Sequence, residues 1–177
     1  MRYFLISLFF LLTSFQVKTI FDFNSDSNMS GWNVVVDGVM GGLSTGDLAL
    51  TDEGYGLFTG LVSLENNGGF SSIRYDMPQM DIEDHQLISI RVKGDGKNYQ
   101  LRVKNKDENY YSYITEFSTN GEWQEIKIPL KEMYPSFRGR RLNKPNFNHD
   151  HLDQIAFLIG NKKNETFRLL IDKIELK

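Results

Sequence analysis

Two neighbouring segments in the middle of the chain alternate strictly between apolar and polar residues. Within residues 86–93, Ile and Val at positions 88, 90 and 92 alternate with polar residues, and in residues 99–104 the apolar positions are Tyr, Leu and Val. A period of two with one polar face is typical of a half-buried antiparallel strand rather than of a helix. Such strands need paired neighbours and a second layer over their apolar face, so the chain is expected to build a layered β-protein.

The rest of the chain after residue 18 also reads as strands and turns, without a convincing helical period. About ten strand-like segments are separated by turn signals, and residues 155–159 form a continuous apolar run that predicts a central strand buried on both faces. In the last segment the apolar parity shifts at Asp172-Lys173, which predicts a β-bulge. We therefore expect an all-β fold, an antiparallel β-sandwich of jelly-roll type.

Length and charge limit the possible partners. The chain has 177 residues, enough for one domain with a substantial core. Its 20 basic and 23 acidic residues give a net charge of −3 without a basic run, so we expect no nucleic-acid partner. There is no cysteine in the sequence, which excludes disulfides, thiolate metal sites and a cysteine nucleophile.

The first residues differ in kind from the rest. Arg2 is followed by an apolar run over residues 3–12 that only Ser7 interrupts. This run is shorter than the roughly 20 residues of a membrane-spanning helix and matches the hydrophobic region of a signal peptide. We expect residues 1–19 to be a removable export segment and residues 20–177 to be one domain, exported to the periplasm or cell envelope, with no transmembrane span in the mature chain. A buried first strand or an uncleaved anchor is the alternative, which would leave the chain cytoplasmic or membrane-anchored.

Residues 32–44 read Trp-Asn-Val-Val-Val-Asp-Gly-Val-Met-Gly-Gly-Leu-Ser, a β-branched run that enters a glycine-rich loop. Asp37 at the start and Ser44 at the end can satisfy backbone amides that such a loop leaves unpaired. We expect Asp37 to accept hydrogen bonds from loop amides or from an arginine, and a glycine at position 41 or 42 to have a positive φ. Val39 and Met40 are apolar at the tip, so we expect them to tuck under the fold or to meet a partner.

The same loop and three later segments resemble the signature of the complex I intermediate-associated protein family. The later segments are residues 69–74, residues 123–129 followed by 137–139, and residues 167–174. That family is named for a mitochondrial chaperone that helps to assemble respiratory NADH:ubiquinone oxidoreductase, and it has bacterial relatives of unassigned role. The resemblance implies a galactose-binding-like β-sandwich, an assembly-factor-like role in a bacterial member, and no established catalytic chemistry.

Catalytic chemistry finds little support in the residues themselves. A phosphate loop at Gly38–Gly42 would need a following Lys-Ser/Thr and a helix, and the sequence offers neither. Ser44 lies in no strand-turn-helix elbow. Paired carboxylates for glycoside hydrolysis stay open, because distant Asp and Glu residues can meet in space. We expect a protein that is not an enzyme.

Metal binding has two weak candidates. Residues 149–153, His-Asp-His-Leu-Asp, contain ligand types but no visible third ligand or supporting shell. A structural calcium on carboxylates such as Asp22 and Asp172 is equally open. We expect no cofactor, with a structural calcium as the alternative.

Two arginines are candidates either for binding a ligand or for fixing a loop through an ion pair. Arg74 lies in a strand-like segment, and Arg138 lies in residues 133–148, the one long irregular stretch. Each guanidinium could pin a loop through a carboxylate such as Asp37, which we favour, or could hold a ligand.

Four aromatic residues could form a platform for sugar rings, or could be half-buried sheet residues. They are Tyr110, Tyr111, Tyr113 and Trp123.

Two functions fit the sequence. The leading hypothesis is a non-enzymatic, assembly-factor-like binding module that engages a protein partner; the alternative is a carbohydrate-binding module of the bacterial envelope. A protein partner would need a contiguous apolar patch around Val39, Met40 and residues 133–147. A glycan would need the ring faces of Tyr111, Tyr113 or Trp123 open in a groove.

Overall fold

The computed structural model describes residues 17–82, 85–106 and 110–177, and for Val39 and Met40 it describes the backbone alone. Most of the expected export segment, residues 1–16, therefore lies outside the described residues.

Thirteen β-strands make up the described part of the chain, and no α-helix occurs in that part. The strands are β1 (Lys18–Asp22), β2 (Trp32–Val36), β3 (Thr45–Leu50), β4 (Gly56–Val62), β5 (Ser71–Asp81), β6 (Leu87–Lys93), β7 (Asn98–Lys104), β8 (Ser112–Ser118), β9 (Trp123–Pro129), β10 (Tyr134–Phe137), β11 (Arg140–Arg141), β12 (His151–Ile159) and β13 (Glu165–Leu176). Single-turn 3-10 helices lie at Met29–Gly31, Asp37–Met40, Glu65–Asn67 and Leu130–Glu132.

The strands form two antiparallel sheets. The six-stranded sheet has the order β3-β4-β13-β6-β9, with β1 also paired to β13, and the seven-stranded sheet has the order β11-β10-β8-β7-β12-β5-β2. Consecutive strands β6 and β7 lie in different sheets, so the turn between them crosses from one layer to the other. The predicted antiparallel β-sandwich is confirmed.

The core fills the space between the two sheets, and the period of two explains which residues enter it. In β7, Tyr99, Leu101 and Val103 are at most 1% exposed, while Gln100 and Arg102 lie on the outer face. Burying an aliphatic side chain of this size stabilises a fold by about 1.5–3 kcal/mol. The alternation seen in the sequence therefore becomes one apolar and one polar face of the sheet.

Two predictions about individual strands are confirmed. Strand β12 is the central strand buried on both faces: Ile155 and Phe157 point into the core, and Ala156 is only 3% exposed on the other side. In β13 the pairing with β6 shifts register between Ile171 and Lys173, which is the predicted bulge.

The segment 133–148 is more ordered than predicted. Strands β10 and β11 form a hairpin in it, and the two-residue turn Arg138-Gly139 has φ values of 48° and 73°. Two positive φ angles are typical of a type I′ turn, in which Asn-Gly is the usual signal. The hairpin was not predicted because arginine occupies the first turn position, where asparagine is the usual signal.

The first described strand bears on the expected domain boundary. Lys18 and Thr19 pair with Leu176 and Glu175 of β13, so a boundary between residues 19 and 20 falls inside β1.

Candidate functional site

The Gly-rich loop between β2 and β3 is built around the carboxylate of Asp37. This side chain is 6% exposed and accepts four hydrogen bonds. Its Oδ1 accepts from the amide of Ser44 at 3.1 Å, and its Oδ2 accepts from the Ser44 hydroxyl at 2.5 Å and from the amides of Gly69 and Phe70 at 2.6 and 3.2 Å. One carboxylate thus ties the loop to the beginning of β5, and the predicted acceptor role of Asp37 is observed.

Two glycines make room for this carboxylate. A Cβ on Gly42 would lie 2.2 Å from Asp37 Oδ1, and a Cβ on Gly68 would lie 2.8 Å from Asp37 Oδ2. Gly41 has a φ of 84°, as predicted, and ends the 3-10 helix Asp37–Met40. The loop sequence therefore needs glycine at two positions for different reasons, backbone conformation at Gly41 and close approach at Gly42.

Ser44 completes the same network. Its hydroxyl donates to Asp37 and accepts from the amide of Ser63 at 3.0 Å, at the end of β4. Ser44 is 6% exposed, and in the part of the chain that the structure describes its hydroxyl is hydrogen-bonded to Asp37 and Ser63. Asp37 and Ser44 are thus structural residues of the loop, and neither presents a free polar atom to a ligand.

The charge of Asp37 is matched to this environment. Burial raises the pKa of its carboxyl, but the hydrogen bonds from Ser44, Gly69 and Phe70 outweigh that effect, and the pKa lies below its ordinary value. The ionised carboxylate is therefore the form that the fold stabilises.

Three exposed leucines surround this loop. Thr45 pairs with Leu61, Ser44 is hydrogen-bonded to Ser63, and the Asn66 side chain donates to the carbonyl of Gly41 at 3.0 Å. These contacts align residues 41–45 antiparallel to residues 61–66. Leu43 lies in the first of these segments and Leu61 and Leu64 lie in the second, and Leu61 is on the outer face of the six-stranded sheet.

The exposed fractions of these side chains are large for leucine: 50% for Leu43, 41% for Leu61 and 42% for Leu64. We call Leu43, Leu61 and Leu64 the leucine corner. Single exposed leucines are ordinary. Three on two adjoining segments beside the Asp37 loop offer apolar surface that can serve as an interface.

The apolar patch expected from the sequence lies partly elsewhere. The side chains of Val39 and Met40 lie outside the described residues. Met133 and Phe147 are 0% and 3% exposed and belong to the core, so the ends of that segment offer no apolar surface. The leucine corner was missed because leucines scattered over residues 43–64 show their common position only once β3 and β4 are paired.

The two candidate arginines do not brace Asp37. Arg74 lies on the outer face of the seven-stranded sheet, in register with Ala156 of β12. Arg138 is exposed in the β10–β11 turn, with its guanidinium 5.3 Å from the ring centre of Phe137. Asp37 is therefore not the carboxylate that either arginine holds, because Ser44 and two backbone amides already satisfy it. The favoured structural role of the two arginines, through a carboxylate such as Asp37, stays a prediction.

The aromatic residues do not form a common platform. Tyr111 and Tyr113 are each 4% exposed, and their hydroxyls are 3.2 Å apart. Both pack in the core, so these two residues do not offer the open ring faces that a glycan would need. Trp123 is half-buried on the outer face of the other sheet, with Tyr55 at 4.7 Å and the Arg91 guanidinium also 4.7 Å from its ring centre.

The two histidines of residues 149–153 bind to protein groups. His149 Nε2 lies 2.8 Å from the Tyr113 hydroxyl, and His151 Nδ1 lies 2.7 Å from Asp150 Oδ1. Asp172, named above as a possible calcium ligand, accepts from Arg91 at 2.7 Å. Within residues 17–82, 85–106 and 110–177, no group of three His, Asp or Glu side chains is placed to hold a metal ion.

The candidate residues from the sequence are thus spread over the molecule. Asp37 and Ser44 lie together in the Gly-rich loop between β2 and β3. Arg74 and Trp123 lie on the outer faces of different sheets, and Arg138 lies in the β10–β11 turn. A helix long and apolar enough to cross a membrane is absent from the described residues.

The fold is similar to that of carbohydrate-binding modules. The family 11 module of the cellulosomal cellulase Lic26A-Cel5E of Clostridium thermocellum matches with a TM-score of 0.66 and 16% identity, covering 93% of this chain and 95% of that one. A variant of the family 29 module CBM29-2 matches with a TM-score of 0.55 and 12% identity, covering 92% and 91%. At these identities the likeness concerns the fold.

Sequence comparison gives a more specific result. Mouse (Mus musculus) complex I intermediate-associated protein 30, mitochondrial, is 25% identical over 183 aligned residues, which cover 90% of this chain. The chain spans 56% of the length of that relative. The family model for complex I intermediate-associated protein 30 matches residues 21–171, from β1 into β13, and includes the Gly-rich loop between β2 and β3. The chain therefore belongs to the complex I intermediate-associated protein 30 family.

Proposed function

We propose that this chain is a non-catalytic binding module that engages a protein partner through the leucine corner. The observation that supports the proposal is the exposure of Leu43, Leu61 and Leu64 around a loop that Asp37 holds in one shape. A rigid apolar surface loses little conformational entropy on binding, and well-packed apolar anchors contribute most of the binding energy in interfaces.

Membership of the family suggests which kind of protein the partner is. The name of the mouse relative records association with an intermediate of complex I. An assembly factor has to cover apolar surface on an incomplete complex and then leave, which suits a small apolar corner better than a large permanent interface. We therefore extend the proposal to an assembly-factor-like role, in which the partner is a protein subunit awaiting its neighbours.

The test is reciprocal affinity purification from the native host, with the tagged chain and then with the tagged partner. The variant Leu43→Asp/Leu61→Asp places two charges in the corner, while Tyr110→Asp alters a residue that is 53% exposed elsewhere and serves as the control. We expect the double variant to lose the partner and Tyr110→Asp to keep it, with both folding normally. Equal capture by the double variant would contradict the proposal.

Carbohydrate binding is the second candidate. Its support is the polar outer face of the seven-stranded sheet, together with the solved neighbours of this fold, one of which is a family 11 module in complex with a β-1,3-1,4-mixed-linked tetrasaccharide. A glycan array probed with the tagged chain separates the two functions. Sugar binding that survives Leu43→Asp/Leu61→Asp would assign it to a different surface.

Export remains part of the proposal. Cleavage after Thr19 would divide β1, because Lys18 and Thr19 pair with β13, whereas cleavage nearer Ser14 would leave β1 whole. The intact mass of the protein purified from its host would identify the site, and a full-length mass would contradict export by a cleaved signal.

A further inference from the structure

Two arginines of the seven-stranded sheet converge on its outer face. Arg74 of β5 and Arg102 of β7 both pair with Ala156 of the strand between them, so the three residues form one row across the sheet. With strands about 4.8 Å apart, the two arginines start from backbone positions on either side of Ala156 and project from the same face of the sheet. Ala156 is only 3% exposed although it is on an outer face, because long side chains cover it.

The positive charges in this row influence one another. Burial and then the charge of Arg74 lower the pKa of Arg102 to about 10. Burial and the charge of Arg74 also lower the pKa of Lys104, which follows on the same face of β7. Three cations thus lie on the face of the central strands, in a chain of net charge −3, together with the carboxylates of Asp76 and Glu116.

Neither arginine forms a salt bridge in the part of the chain that the structure describes. Arg102 donates from Nε and Nη2 to Gln100 Oε1, at 3.1 and 2.7 Å, which uses two of its five N–H donors on a neutral acceptor. The acid that acts on Arg74 is Asp76, and its Oδ1 accepts instead from Gln154 at 2.9 Å. Half-buried arginines without an ion pair are unusual in structural roles and typical of anion recognition.

The position of Arg74 and Arg102 on interior strands of the sheet limits which class of ligand can bind. Strands β5, β12 and β7 are paired on both edges, so a peptide cannot add to them as an extra strand. Recognition here must use side chains alone. Forked guanidinium groups suit a carboxylate, and the second N–H of the Gln100 and Gln154 amides suits hydroxyl groups, since the first N–H donates to Glu116 and Asp76. An oligosaccharide that carries carboxylates offers both chemistries on a flat surface.

We propose that this outer face binds an acidic oligosaccharide, with a uronate carboxylate held between Arg74 and Arg102. The proposal rests on the second candidate function, carbohydrate binding, and specifies its ligand class and its site.

The experiment is a titration of the full chain, followed by NMR and calorimetry, with three probes: a tetragalacturonate, a neutral β-glucan tetrasaccharide and a poly-glutamate peptide of matched charge. We expect the tetragalacturonate to bind, with a salt-dependent affinity and with shift changes centred on β5, β7 and β12. Affinity should fall at least tenfold in Arg74→Gln/Arg102→Gln and stay unchanged in Arg168→Gln, which removes an exposed arginine from the opposite sheet.

The remaining outcomes distinguish carbohydrate binding in general from the uronate site in particular. Binding of the neutral sugar alone would leave carbohydrate binding standing and overturn the uronate site. No binding of either sugar would overturn both, and tighter binding of the peptide would reassign the face to an acidic protein. If the double glutamine variant does not fold, Arg74→Lys/Arg102→Lys keeps the charge and loses the fork, and unchanged affinity in it would also contradict the proposal.

Discussion

At the residue scale, the carboxylate of Asp37 connects segments that are distant along the chain. It accepts from Ser44 in its own loop and from Gly69 and Phe70 more than thirty residues later. Removal of this acceptor would leave the amides of Ser44, Gly69 and Phe70 without it, and an unsatisfied buried donor costs about 1–3 kcal/mol. The loop shape therefore depends on one side chain.

We expect Asp37→Asn to lower the free energy of unfolding by about 2–4 kcal/mol at neutral pH, because an amide nitrogen then faces N–H donors. Since the pKa of Asp37 is lowered in the folded state, the ionised carboxylate contributes its full stabilisation above the ordinary aspartate value of 3.8, and this contribution is lost as the pH falls towards the folded pKa.

Denaturant unfolding between about pH 3 and pH 7 measures this effect. The difference between the wild type and Asp37→Asn should shrink as the pH decreases. Asp47→Asn, which changes an exposed carboxylate on β3, is the control and should leave the curve nearly unchanged. A pH-independent difference would show that the charge of Asp37 has no role.

The glycines of the loop give a second prediction. Gly42→Ala should lower the free energy of unfolding by about 2–4 kcal/mol, because the new methyl group would overlap the Asp37 carboxylate. Gly41→Ala meets no atom within 4 Å and should cost about 1 kcal/mol through its positive φ alone. Equal costs in thermal unfolding would argue against the close approach at Gly42.

What the sequence predicts at this scale is local. The acceptor role of Asp37 and the positive φ of Gly41 follow from residues within one loop. The donors Gly69 and Phe70 could not be predicted, because they meet Asp37 only after β2 and β5 have paired.

At the scale of elements, the alternation of β7 and the apolar run of β12 were sufficient to predict strands and their buried faces. The order of the strands was not predictable, since pairing joins β5, β12 and β7 from widely separated parts of the chain. For this reason Arg74 was recognised as a candidate and Arg102 was not: their common row exists only in the folded sheet.

The β10–β11 hairpin gives a prediction at this scale. Arg138 has a φ of 48° without glycine or asparagine to favour it, so Arg138→Asn should raise the free energy of unfolding by about 0.5–1 kcal/mol. Gly139→Ala should lower it by about 1 kcal/mol. Thermal unfolding of both variants checks this, and destabilisation by Arg138→Asn would point to a contact of the arginine that matters for the fold.

At the scale of the whole molecule, two surfaces with different chemistry are attached to one sandwich. The leucine corner is apolar and lies at the end of β3 and β4, whereas the Arg74–Arg102 row is cationic and lies on the face of the other sheet. One protein could therefore hold a protein partner and a charged ligand at the same time. The family and the fold were both predictable from the sequence; the separation of these surfaces required the structure.

Photo-crosslinking in the native host tests the role of the leucine corner most directly. A photoreactive phenylalanine analogue would replace Leu43, Leu61 or Leu64 in turn, with Tyr110 and Arg102 as control positions. If the corner is the protein interface, the three corner positions crosslink to the same protein and the control positions do not. Crosslinking of that protein from position 102, with none from the corner, would contradict the assignment.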